Sequence, residues 1–178
     1  FLKPVRAENL LTFPIESHIL SLRLAPRITH SYTRKQTEAV PALSALPGTP
    51  FLEWEWSGSE IDWGYAFSVD GHVFHAREVR SLAQSIDFCA PNSFESEMQV
   101  FKDYFNGRKG LCYETPRLLN IPVNRVQNEI TNVHGEMHQN DLLASFEAGK
   151  RIDFRGLQEY ENTSCHEDVP FTLRERKA

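Results

Sequence analysis

The sequence predicts a mixed α/β fold: a mixed sheet with a β-hairpin and helices packed on it. Three observations carry that expectation. Short apolar runs of strand length alternate along the chain with segments whose apolar residues recur at helical spacing. Asp70-Gly71 stands between two apolar runs, a hairpin signal, because Gly accepts positive φ and Asp tolerates it. The hairpin breaks the strand–helix alternation, which disfavours a purely doubly wound sheet.

Residues 8–13, ENLLTF, make one or two helical turns stopped by Pro14. HILSLRLAP is a buried strand ended by Pro26, and residues 33–50, with Pro41, Pro47, Pro50 and Gly48, read as a long surface loop. FLEWEW alternates, with Trp54 and Trp56 on one side and Glu53 and Glu55 on the other. WGYAFSV is a second strand, Asp70-Gly71 the turn, and HVFH a short third strand. From Ala76, the residues Val79, Leu82, Ala83 and Ile86 mark a helix. PNSFESEMQVFKDYF is a helix capped by Asn92 or Ser93, with Glu95 closing a capping box and Phe94, Met98, Phe101 and Phe105 as its buried stripe, ended by Asn106-Gly107. LLNIP is strand-like up to Pro122. NVHGEMHQN is a polar loop, NDLLASFEA a helix capped by Asn140 and closed by Gly149, and KRIDF a last strand.

The 178 residues, 40% hydrophobic and 24% charged, suffice for one core, read as a single domain over 1–156 with a loose tail over 157–178. A net charge of -5 without clustered Lys and Arg argues against nucleic acid as the main partner. No apolar run approaches the roughly 18 residues of a membrane span. Cys89, Cys112 and Cys165 are widely spaced, as in a cytoplasmic protein with reduced thiols. The opening residue, Phe rather than Met, suggests a fragment.

Asp62, Asp70 and Glu95 stand at element boundaries, where a carboxylate can reach a cleft. Asp70 is either a turn former or a cleft residue, and Glu95 either half of a capping box or a base kept ionised by the helix dipole. Trp54, Trp56, Trp63 and Tyr65 supply either core or a flat platform for a sugar ring. His72 and His75 point to opposite faces of a strand, His134 and His138 lie in a polar loop, and no histidine pair has metal-ligand spacing. Phosphate-cradling glycine loops and G-x-S-x-G are absent from the sequence.

SLRLAPRIT, GYAFSVDGHVFHAREV, FCAPNSFESEM, NIPVNRVQN and LLASFEAGKRIDF together span most of residues 18–154. In this order the five segments resemble those of a group of bacterial glycosyltransferase-like proteins with a GT-A type fold. In that group a nucleotide-binding half ends in an aspartate-rich Mg²⁺ or Mn²⁺ motif followed by a segment like FLKPV at residues 1–5. The resemblance therefore implies the acceptor-side portion of an α/β/α sandwich, with nucleotide sugar and glycan acceptor as partners and the metal ligands upstream. It implies Glu95 as catalytic base and Asp70 as a positioning carboxylate. Trp63, His72, Asn92, Asn124, Arg125 and Gln127 become candidate substrate contacts. The competing expectation is a non-catalytic carbohydrate-binding or scaffold protein. A two-carboxylate hydrolase ranks last, since sequence spacing cannot show a suitable pair.

Overall fold

The structure, a computed structural model, describes residues 1–105, 107–125 and 133–176. Its elements in chain order begin with α1 (Ala7–Thr12), β1 (His18–Ser21), β2 (His30–Ser31), β3 (Gln36–Thr37), β4 (Ser44–Ala45), β5 (Phe51–Glu55) and β6 (His72–Val73). There follow α2 (Ala76–Ser85), α3 (Pro91–Met98) with a 3-10 extension over Gln99–Phe105, β7 (Lys109–Tyr113), α4 (Gln139–Glu147), β8 (Lys150–Ile152) and β9 (Leu173–Glu175). The fold is mixed α/β. A five-stranded sheet runs β4-β5-β7-β1-β6; β1 and β7 are parallel and the other pairs antiparallel.

Alternation along the strands loads both faces of the sheet. Ile19, Trp54 and Cys112 point to one side, where they join Trp56, Trp63, Phe67, Leu82 and Met98 under α2 and α3. Leu20, Phe51, Leu111 and Tyr113 point to the other, where Phe13 and Leu10 of the α1 segment cover them. Each such side chain, fully buried, contributes about 1.5–3 kcal/mol. The helix stripe read from sequence is present: Met98 is fully buried, and Phe94, Phe101 and Phe105 pack against the same cluster.

Several elements differ from expectation. Residues 63–69 are not a strand. Gly64 N–H donates to the Glu60 carbonyl and Tyr65 N–H to that of Asp62, so the segment turns. Its buried residues Trp63, Ala66 and Phe67 follow a turn's spacing rather than alternation. The Asp70-Gly71 turn is real, with Gly71 at φ 79°, but His72–Val73 pairs with β1 instead of closing a hairpin. Hairpins lie elsewhere: β2 pairs with β3 and β4 with β5, so β3 and β4 fall inside the 33–50 stretch read as surface loop, and Gly48 at φ 75° turns the chain before β5. β1 stops at Ser21, well before Pro26, because Ser21 Oγ accepts the backbone N–H of Arg23 and Leu24 and bends the chain.

The caps also shift. α3 begins at Pro91, a preferred first helical residue, and Ser93 Oγ accepts the N–H of Ala90, which sets Asn92 inside the helix. α4 is capped by His138, whose Nδ1 accepts from Asn140 N–H; Gly149, at φ 80°, closes it as expected. Residues 118–122 form no strand beyond a single bridge from Asn120 to His166. The tail expected to be loose is built in: Asn162, Ser164, Cys165 and Val169 are buried, and β9 pairs with β8. Asn106 lies outside the described residues.

Gly110 sits opposite Trp54 in the β5–β7 register, and a Cβ there would lie 2.3 Å from the indole ring. Gly110→Ala therefore overpacks the sheet centre. The expected loss is about 1–3 kcal/mol, read as a fall in Tm of roughly 2–4 °C per kcal/mol.

Candidate functional site

The run SLRLAP buries an arginine. Arg23 is 2% exposed, on the bend after β1, and a cation there needs compensation. Asp70 supplies it, with Oδ2 3.3 Å from Arg23 Nη1. The same oxygen accepts from Asn120 Nδ2 at 2.9 Å and lies 3.3 Å from His166 Nε2. Burial pushes the Asp70 carboxyl up, but His166, the Arg23 charge and Asn120 together outweigh it and hold the group well below the usual carboxylate range. Asp70 thus does more than shape the turn: it is the counter-ion of a buried cation.

Glu95 meets the residue that precedes Asp70. Its Oε1 accepts the N–H of Val69 at 2.9 Å, and Gln99, one turn on, donates from Nε2 to the Phe67 carbonyl at 3.1 Å. Glu95 is not a capping-box residue. It is the fifth residue of α3, past the first turn in which the helix dipole acts. Glu95 and Asp70 are brought together, each tied to the 66–71 turn.

Above that turn opens an apolar cavity of about 480 Å³, walled by Val69, His72, Phe74 and Val79 on one side and by Phe88, Pro91 and Phe94 on the other. The wall rings are held by contact: Phe88 and Phe94 centroids are 4.6 Å apart, and Phe74 stacks on Phe67. His72 donates from Nδ1 to the Ala66 carbonyl, and its ring lies against Trp56 and Phe74. Burial, with the Arg23 charge, pushes its pKa down to about 3, so this wall is uncharged at neutral pH.

The other expected contacts are distributed differently. Trp63 is wholly buried and donates from Nε1 to the Ile28 carbonyl, while Trp54 donates to the Trp63 carbonyl. With Trp56 also 2% exposed, these three indoles are core and form no sugar platform. Asn92 is half-buried on α3 and is not among the cavity's lining residues. Asn124 and Arg125 follow Val123, which lines a smaller cavity of about 190 Å³ beside Asp168 and Phe171. Gln127 lies outside the described residues. No group of three or more His, Cys, Asp or Glu among the described residues is arranged to hold a metal ion.

Sequence reasoning missed Arg23, Asn120 and His166, and also a buried acid pair. Glu38 Oε2 accepts the backbone N–H of Asp62, and the Glu38 carboxyl, 7% exposed, is pushed up to about 8 by burial and by the Asp62 charge. The available signal for Arg23 was its place in an apolar run. A cation flanked by buried leucines demands a partner.

Asp70→Asn leaves Arg23 buried without its counter-charge, and up to about 3–5 kcal/mol of stability is expected to go, measured by denaturant unfolding. Because the folded pKa of Asp70 is lowered, its contribution is complete above the unfolded carboxylate range and lost as pH falls below about 4; the variant flattens that acid limb. Glu38 has the opposite sign. Its folded pKa is raised, so stability falls as pH rises from the unfolded carboxylate pKa to about 8. Glu38→Gln, able to donate to Asp62, is expected to raise Tm at pH 8 and to leave it nearly unchanged at pH 4.

Comparisons with protein-family models, with curated proteins and with solved structures find no match to this chain.

Proposed function

We propose that this chain is the acceptor-side part of a GT-A-like protein that transfers a sugar from a nucleotide-sugar donor to a hydroxyl acceptor. The observation that carries the reading is the placement of Glu95. A half-buried carboxylate is fixed by one backbone hydrogen bond at the edge of an open cavity, between the lining residues Phe94 and Val69. That bond uses one of its two oxygens. The ordered resemblance of five segments supports the same assignment.

The chemistry follows from the group. A carboxylate at a cleft edge accepts the proton of an acceptor hydroxyl as that oxygen attacks the anomeric carbon, and the nucleoside diphosphate leaves. Asp70 is held away from this step by Arg23, Asn120 and His166, so its part is positional: it anchors the turn whose Val69 N–H orients Glu95. The competing reading, a carbohydrate-binding module without catalysis, loses the three indoles as a sugar platform, since all are buried.

The test is Glu95→Gln in the intact protein, assayed for transfer from nucleotide sugars. Glutamine still accepts the Val69 N–H, so Tm should hold while the rate falls by about 10²-fold or more. An unchanged rate would remove Glu95 as base. Absence of transfer by the wild-type protein across a panel of nucleotide sugars would remove the reading itself.

A further inference from the structure

We infer that the 480 Å³ cavity is a binding site for an uncharged apolar group, an alkyl chain or an aromatic ring system, entering past Phe88 and Cys89. Three observations select this chemistry. The volume falls within the ~300–1,000 Å³ typical of small-molecule sites, well above the ~150 Å³ that holds benzene. The lining carries no Lys, Arg, Asp, Glu, Ser, Thr, Asn or Gln side chain. Its one polar ring, His72, has Nδ1 committed to the Ala66 carbonyl, and its Nε2 is sealed from solvent without a hydrogen-bond partner among the described residues. A sugar ring seated here would leave its hydroxyls without partners, each a desolvation cost. An anion would find no cation in the wall and would meet Glu95 at the edge.

The mouth is apolar and open. Phe88 is 46% and Val69 42% exposed, so the mouth presents adjoining apolar surface to solvent, as at a ligand-binding groove. The walls are also stiff where they must be. Pro91 at the start of α3, Ser93 Oγ tying the 89–90 backbone to that helix, and the Phe88–Phe94 contact hold the rim in place. Cavity and carboxylate adjoin: Val69, whose N–H Glu95 accepts, and Phe94, the residue before Glu95, both line the cavity. Resting on the transfer reading, this makes the acceptor a hydroxyl borne by an apolar group rather than a free sugar.

Binding is tested on the intact protein without donor or metal, so its outcome does not depend on transfer. The probe is the neutral fluorophore N-phenyl-1-naphthylamine, displaced by 1-decanol. Saturable enhancement, reversed by decanol, is expected. Cys89 is exposed whereas Cys112 and Cys165 are buried, so maleimide reports on the mouth. At ten times Kd about one site in ten stays open, and Cys89 labelling should slow roughly tenfold. Val79→Phe and Ala90→Leu fill the cavity from opposite walls, and each folded variant should bind roughly tenfold more weakly. No saturable binding overturns the proposal and leaves the patch as a docking face for another protein. Binding that neither protects Cys89 nor weakens in either variant overturns it as well.

Discussion

The ion pair between Arg23 and Asp70 is the constraint on which the rest of the structure around the cavity depends. A guanidinium at 2% exposure is tolerable only with its counter-ion in place. That requirement draws together segments far apart in the chain: the end of β1, the 68–71 turn, Asn120 and His166. Gly71 serves the same end. It turns at positive φ, and a Cβ there would come within 2.9 Å of Arg23 Cγ. The backbone agrees, since Leu22 donates to the Gly71 carbonyl while its own carbonyl accepts from Arg117 and Leu118. The chain after Gly156 is therefore part of the fold, because His166 and the buried Cys165 complete this knot.

The strand β7 supplies the platform beneath. It lies parallel to β1 and antiparallel to β5, so its residues meet both cores. Gly110 leaves room for Trp54, and the Trp54 and Trp63 rings meet edge to face 5.0 Å apart. The Trp54 and Trp63 N–H groups then find backbone carbonyls, while Trp56 Nε1 is buried without a partner among the described residues. This spends the tryptophans on the core. The cavity walls are left to phenylalanines and aliphatic side chains, and its apolar character follows.

Glu95 joins the two halves of the site. Its hydrogen bond to Val69, with that of Gln99 to Phe67, clamps α3 to the turn that Asp70 anchors. A displacement of that turn would move carboxylate and cavity mouth together. This coupling is why Asp70, although it faces Arg23, belongs to the functional account. The acid pair of Glu38 and Asp62 is a separate matter of stability: with its raised pKa, Glu38 opposes the pH dependence set by Asp70.

Local patterning in the sequence determined the helices and the central strands. The 3.6-residue stripe of Phe94, Met98 and Phe101, the alternation in FLEWE, and the positive-φ glycines 71 and 149 each report a short-range preference that burial does not reverse. Asp70 could be singled out because it stands at a turn, whereas Glu95, read as half of a capping box, lies past the first turn of α3. Tertiary structure alone decided which strand β6 pairs with, that residues 63–69 turn instead of extending, and that residues 162–175 of the tail pack into the fold. It also decided that Trp63 is core and that Asp70 answers Arg23. These choices rest on partners between 35 and 132 residues away, such as Ile28 for Trp63, Arg23 for Asp70 and Ser164 for Tyr32. A buried polar group accepts whichever partner the packing brings, and spacing along the chain carries no record of that meeting.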